Sequence, residues 1–299
     1  MDRIEQFSTI APDIGNIFRY MSVATGVPLL VAVVYREWEM ILPMLSVPVT
    51  LFLLGMLLVR VPREEREAPL SAALMAVALI WLAMALVSAL PFSLGLGTPY
   101  LDAVFEAMSG WTDTGLTMMR SVDDLPQTLL FWRSLMQWLG GLGIVSFTIA
   151  MASRTGLTQF RLYRSEGRSE ALMPSVVATG MEMWKIYMVL TAASIGLVLL
   201  SGIPLWDAVN IALVTISTGG FSIHSAGIPF YNNPFLEVLV VPIMIAGALP
   251  FKLYYILYRQ NGVRFFDDQQ ARLLFMLIAL GIVVIAWDLV TLNATEIPT

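Results

Sequence analysis

Two strips of hydroxyl and glycine residues, TDTGLT at 112–117 and STGGFS at 217–222, are where this sequence offers chemistry. The chemistry is the stripping and holding of a bare cation. Backbone carbonyls replace a hydration shell when successive C=O groups turn to one side. Glycine permits the dihedrals and the close approach that this needs, and Gly115 and Gly220 stand at the same place in the two strips. Other site chemistries are poorly supplied. The chain has no cysteine and one histidine, His224, which leaves neither a thiolate centre nor a His-clustered metal site. A net charge of −5 gives no basic surface for nucleic acid.

Each strip follows the same element. Residues 99–117 (PYLDAVFEAMSGWTDTGLT) and 204–222 (PLWDAVNIALVTISTGGFS) align without gaps at an offset of 105 residues. Identities fall at Pro99/Pro204, Asp102/Asp207, Ala103/Ala208, Val104/Val209, Ala107/Ala212 and Gly115/Gly220, while Thr112/Ser217 and Thr117/Ser222 keep a hydroxyl. A fixed period marks one supersecondary unit used twice. The proline opens a helix at no cost in donors, and the aspartate complements that helix's positive end. About eleven apolar or small residues follow, roughly 16 Å of helix, which is half a bilayer. Irregular backbone at that depth survives only where protein buries it or where it lines a watery cavity. Gly, Ser and Thr are also common in membrane helices because they let helices pack closely, and a single strip reads that way. Two in register, each behind a Pro-x-x-Asp half-helix on the same predicted side, favour a pore.

The surrounding elements must be membrane spans. The chain is 299 residues long, 58% hydrophobic and 13% charged, far from the roughly 25% charged residues of soluble domains. Apolar segments of spanning length run at 17–35, 40–59, 69–91, 129–152, 183–203, 234–258 and 271–291. The polar start, Met1 to Asn16, lacks the pattern of a cleaved signal peptide, so the first apolar segment is expected to act as an anchor. With the N-terminus inside, fourteen of the seventeen basic residues lie on the cytoplasmic side, as the positive-inside rule requires. Only Arg36, Arg120 and Arg133 lie outside. The expected fold is therefore all-α integral membrane: repeated span–pore helix–filter loop–span units, with about seven spans and two re-entrant half-helices. The expected organisation is a two-span hairpin (1–68), a first repeat (69–153), a cytoplasmic linker (154–181), a second repeat (182–259) and the first span of a third (260–299).

The blocks FEAMSGWTDTGLT (105–117), LPQTLLFWRSLMQWLGGLGI (125–144), IYMVLTAASIGL (186–197) and DAVNIALVTISTGGFS (207–222) resemble the Trk/Ktr/HKT cation-transporter superfamily, and within it the TrkH-type membrane subunits. The linker LYRSEGRSE (162–170) and MIAGALPFKLYY (244–255) do so too. The resemblance implies four span–pore–span units around one ion path and potassium uptake, not enzyme chemistry, at the cell membrane. It implies that Asp113, Thr114, Gly115, Leu116, Thr218, Gly219, Gly220 and Phe221 supply the carbonyls that bind K+, and that no other cofactor is needed. Glycine rather than serine at the filter position implies potassium over sodium. It also implies homodimers and a cytoplasmic, TrkA-like nucleotide-binding regulatory subunit contacting 153–181 and 259–270.

Two departures stand out. Family members often have Thr where Asp113 stands. A carboxylate there either adds charge near an ion or turns away to cap the pore helix, and the cost of charge at that depth favours the second. The sequence also carries only two of the family's four filters, so the alternatives are an inert half-pore needing a second polypeptide, or a scaffold without transport. Arg133, beside Phe131 and Trp132, reads as an interfacial anchor, with Glu106 or Asp113 as a conceivable partner. Gly140, Gly141 and Gly143 read as packing positions on the inner helix, and His224 as a solvated loop residue. No ionisable cluster is evident inside the spans.

Overall fold

The computed structural model describes residues 3–62, 70–143, 176–260 and 268–295, and these are helical, with no strand among them. The order is α1 (Arg3–Ala24), α2 (Pro28–Val34), α3 (Trp38–Val59), α4 (Leu70–Ser88), α5 (Leu90–Leu96), α6 (Tyr100–Trp111) and α7 (Gln127–Leu142). Then come α8 (Val176–Leu199), α9 (Leu205–Ser217), a short 3-10 turn (Ile228–Tyr231), α10 (Pro234–Ala248), α11 (Phe251–Gln260) and α12 (Gln269–Thr295). The chain forms two compact units, Met1–Ala248 and Leu249–Thr299. The second contains α11 and α12, and α12 presents Leu273, Leu277, Leu280 and Val284 outward, as a helix made to face lipid does.

Among the described residues five helical stretches are long and apolar enough to cross a membrane: Phe7–Val34, Trp38–Val59, Ser71–Leu96, Ala178–Leu199 and Gln269–Thr291. A sixth exists if the broken pair Pro234–Ala248 and Phe251–Tyr258 counts as one span. The seven expected segments differ in two instructive ways. The first helix begins at Arg3, not near residue 17, because Ile10, Ala11, Ile14, Ile17, Phe18 and Met21 recur at helical spacing and are buried. The inner helices break within their apolar runs. Among the described residues α7 stops at Leu142, where Gly143 takes φ +87°; α10 stops at Ala248, just before Pro250. Residues 144–152 of the expected fourth span lie outside the described residues.

The repeat seen in the sequence is a repeat of backbone conformation. Pro99 and Pro204 stand at the N-caps of α6 and α9 in extended geometry, and their carbonyls accept the first helical bonds from Ala103 (3.0 Å) and Ala208 (2.9 Å). Ahead of them Gly97 (φ +69°) and Gly202 (φ +82°) make the turn from the outer helix into the half-helix. At 12 and 13 residues, α6 and α9 are about 18–20 Å long, too short to cross a hydrocarbon core of about 30 Å.

Glycine sets how closely the inner helices approach the half-helices. A Cβ at Gly140 would overlap the carbonyl oxygen of Trp111, the last residue of α6, and one at Gly247 would overlap the carbonyl oxygen of Ile216 in α9. The same contact therefore holds inner helix to half-helix in both copies. Gly141 serves a similar end, with Ser217 Cβ 2.8 Å from where its own Cβ would be. The N-terminal hairpin uses the device again: Cβ atoms at Gly15 and Gly55 would stand 2.8 and 2.7 Å from each other's carbonyl oxygens.

Gly140→Ala is expected to destabilise by about 1–3 kcal/mol, the usual cost of overpacking. Gly196→Ala, at a helical position with nothing within 4 Å, should instead stabilise by roughly 0.5–1 kcal/mol on helix propensity. Unfolding in detergent, followed by tryptophan fluorescence, checks both signs.

Candidate ion-coordinating site

Both half-helices end in the same motif. The amide of Thr114 donates to Ser109 O (3.0 Å) and that of Asp113 to Gly110 O (3.4 Å). In the second copy Gly219 donates to Val214 O (2.9 Å) and Thr218 to Thr215 O (3.1 Å). This is a Schellman closure, which requires a left-handed residue just past the helix and usually finds glycine there. Here that residue is Asp113 (φ +53°) or Thr218 (φ +59°), and a β-branched residue in that region is a true outlier. The chain then reaches Gly115 (φ +75°) and Gly220 (φ +87°). Two positive dihedrals, spaced alike in each copy, throw the strip off the helix axis.

The two strips lie against each other. A Cβ on Gly115 would overlap Gly219 O, and one on Gly220 would be 3.6 Å from Gly115 Cα. Of the eight positions expected from sequence, seven have carbonyls that accept no hydrogen bond among the described residues. Gly219 is the exception: its oxygen accepts from Gln137 Nε2 at 2.6 Å, so it is held by protein. Asp113 Oδ1 is buried without a hydrogen-bond partner and would lie 2.8 Å from a Cβ on Gly219. The carboxylate thus faces the second strip, and no cap from it to its own half-helix is seen.

Three side chains that composition left unremarked, or read otherwise, hold the strips. Gln137, fully buried, also accepts from the Phe221 amide (3.0 Å). Arg133 is 2% exposed, which corrects its reading as an interfacial anchor. Its Nε donates to Glu106 Oε1 at 2.8 Å, and Glu106 is wholly buried. This corrects the expectation that the spans hold no ionisable cluster. Glu106 accepts further from the Thr117 hydroxyl (3.0 and 2.9 Å) and the Met118 amide (2.9 Å). Arg133 Nη1 donates to Ser222 O at 2.8 Å, Nη2 approaches Thr117 Oγ1 at 3.4 Å, and the guanidinium sits 4.1 Å from the Phe221 ring centre. The helix that carries Arg133 and Gln137 is itself capped from the hairpin. Glu37 accepts from the amides of Gln127 (2.7 Å) and Thr128 (2.9 Å) and from the Thr128 hydroxyl (2.6 Å). The mouth above the strips is a cavity of about 300 Å³ lined by residues that include Gly115, Thr117, Arg133, Gly220 and Ser222.

The loops that follow the two strips are stitched too. Ser225 Oγ accepts from the Val122 amide (3.0 Å) and the Ser225 amide donates to Asp123 (2.9 Å). Hydrogen bonds to Asp123 from the Ser225 hydroxyl and then its amide hold that carboxylate below its usual range. His224 is not simply solvated. Its ring stacks on Phe230 (3.6 Å between centres), with Asp123 and Asp207 each 3.8 Å from one of its nitrogens. Tyr231 donates to Asp207 (3.0 Å), and burial together with that bond pushes its phenol well up. Within the pairing of Arg133, the sequence named Glu106 as one of two partners; Gln137 and Glu37 carried no motif that would have flagged them.

Comparison with known proteins adds a family and a scaffold. The TrkH family, described as a cation transport protein, matches residues 48–297. An uncharacterized cation transporter of Methanocaldococcus jannaschii is 35% identical over 261 residues, 87% of this chain and 54% of that protein. The Trk system potassium uptake protein TrkH of Halomonas elongata is 30% identical over 285 residues, 91% and 58% of the two chains. The chain thus spans a little over half the length of these curated relatives. The crystal structure of the potassium transporter TrkH from Vibrio parahaemolyticus superposes with a TM-score of 0.78 at 26% identity, over 94% of this chain and 58% of that one.

Substitutions in the strips should separate steric from dihedral cost. Gly220→Ala meets only the left-handed penalty of about 1–2 kcal/mol. Gly115→Ala also meets the facing backbone, and should cost at least about twice as much. Equal losses in detergent unfolding experiments would show that the strips are not in contact.

Proposed function

Since the chain belongs to the TrkH cation transport family, we propose that it forms part of a potassium uptake pathway across the cell membrane, with the strips 113–116 and 218–221 as two walls of a carbonyl-lined filter. The observation that carries this is the run of seven strip carbonyls with no donor among the described residues. Thr114, Leu116, Thr218 and Gly220 are exposed and Asp113 and Gly115 half-buried, and irregular backbone left open at membrane depth is tolerated where it lines a water-filled path. A dehydrated cation supplies what these oxygens lack, and the negative ends of α6 and α9 add to the attraction.

Within this proposal the eight expected residues divide by role. Asp113, Thr114, Gly115, Leu116, Thr218, Gly220 and Phe221 present free oxygens, while Gly219 spaces the strip and is gripped by Gln137. K+ is cargo, and no covalent chemistry is required. Potassium is the ion named for the relatives from Halomonas elongata and Vibrio parahaemolyticus, and the glycines at 115 and 220 suit a close carbonyl cage. Two strips make half of a four-sided ring, so conduction calls for two more, from a second copy or from further polypeptide. The N-terminus faces the cytoplasm, copies pair into homodimers, and a nucleotide-binding regulatory subunit engages 153–181 and 259–270, segments that lie largely outside the described residues.

K+ should stabilise the purified chain in detergent and Na+ should do so much less. At a hundredfold excess over its Kd, a ligand adds about 2.7 kcal/mol, which moves the melting temperature by several degrees. Gly220→Ser should abolish the preference. Equal shifts with K+, Na+ and a bulky organic cation would refute the proposed filter, and rubidium uptake into liposomes then reports whether copies complete the ring.

A further inference from the structure

The ion pair behind the strips is built once, although the elements that carry it are repeated. Superimposing the two inner helices on their matching glycines, Gly140 and Gly247, places Val240 opposite Arg133 and Met244 opposite Gln137. The half-helix repeat places Ile211 opposite Glu106. Where the first copy has a buried Glu–Arg pair and a glutamine, the second has three apolar side chains, and all three line a cavity of about 220 Å³ beside the second strip. A role in holding one span–half-helix–span unit together would recur in both copies, as the glycine contacts do. This one does not recur.

Its reach shows what it does instead. Arg133 touches the two repeat-equivalent residues at once, the hydroxyl of Thr117 and the carbonyl of Ser222. Gln137, one helical turn further on, bonds the second strip at Gly219 and Phe221. Both side chains come from the first copy's inner helix and grip the second copy's backbone. The ring of Phe221 fills the slot between them and α6, where Gly110 leaves room: a Cβ there would be 3.3 Å from the ring.

We infer that Arg133 is a positioning residue which, oriented by Glu106 and assisted by Gln137, fixes the second strip in register with the first, so that the two sets of carbonyls address one ion. The inference rests on the filter proposal for its purpose, but the coupling is a property of the chain. Lysine carries the same charge but lacks the fork that serves Glu106 and Ser222 together. Glu106→Gln keeps the shape and removes the charge that orients the guanidinium.

Hydrogen–deuterium exchange on the purified full chain in detergent tests this, using Arg133→Lys, Glu106→Gln and, should either misfold, the neutral pair Arg133→Gln with Glu106→Gln. Each is expected to speed exchange in the second strip and its tail, 218–224, by about ten- to a hundredfold, the size of a lost charge-assisted bond, with little change in α3 or α8. For Glu106→Gln this effect crosses from one copy to the other. Faster exchange confined to the first strip, or a uniform rise across the chain, overturns the inference. The same measurement with K+ against Na+ on the unmodified chain reads the filter proposal separately, because strips that ignore K+ refute the filter while leaving the coupling to be scored.

Discussion

A peptide carbonyl without a protein donor takes its partner from water or from a cation, and this fold sets two groups of them side by side. The geometry begins at the helix ends. A Schellman closure uses up the last amides of α6 and α9 and forces a left-handed residue at Asp113 and Thr218. A second positive dihedral follows at Gly115 and Gly220. The chain cannot return to helix or pair as a strand after those two turns, so its oxygens stay unclaimed. Asp113 and Thr218 sit in a region that costs energy for residues with a Cβ, which is the kind of strain that a packed surround has to hold in place.

That surround works by close approach. Inner helix meets half-helix through Gly140 on Trp111 and Gly247 on Ile216, contacts that admit no side chain. Trp111 in turn donates to the Ser88 hydroxyl (2.9 Å), and its ring meets Trp132 edge-on at 6.2 Å, which ties the first half-helix to both of its flanking helices. The hairpin contributes more than bulk. Glu37 neutralises the orphan amides at the start of α7, and Tyr35 packs against Trp206 at 4.8 Å, at the start of the second half-helix. Helix α7 is therefore fixed at its N-terminal end by the hairpin and near its C-terminal end by the half-helix. Such fixing is what allows Arg133 and Gln137 to be exact about where they place a neighbour's backbone.

Polar groups are spent unevenly across the two copies. One junction between strips is stitched by a buried ion pair, a glutamine and the Ser225–Asp123 bond in the loops that follow. The corresponding side of the second strip is apolar and leaves a cavity. A buried ion pair is weak support for stability, since desolvation offsets much of its attraction. Its value is in geometry, because a guanidinium with partners in three directions has one place to sit.

Much of this was open to reading in the sequence. The Pro-x-x-Asp half-helices, the ungapped register and the paired glycines follow from residue types and spacing, because helix starts and left-handed turns impose local demands that few residues meet. The same holds for Gly97 and Gly202, which share the offset of 105 residues. Helix ends were less legible. Apolar runs such as 129–152 continue past the point where Gly143 turns the chain, since hydrophobicity reports lipid or core and not where a helix stops. What tertiary structure alone decided is which side chains meet. Glu106 and Arg133 lie 27 residues apart, Gln137 and Gly219 are 82 apart, and Glu37 and Thr128 are 91 apart. Each pair joins different helices, so no local pattern records it. Burial turned Arg133 from an apparent surface anchor into the centre of the site, because a charge shut away from water has to be met by the groups that the fold brings to it.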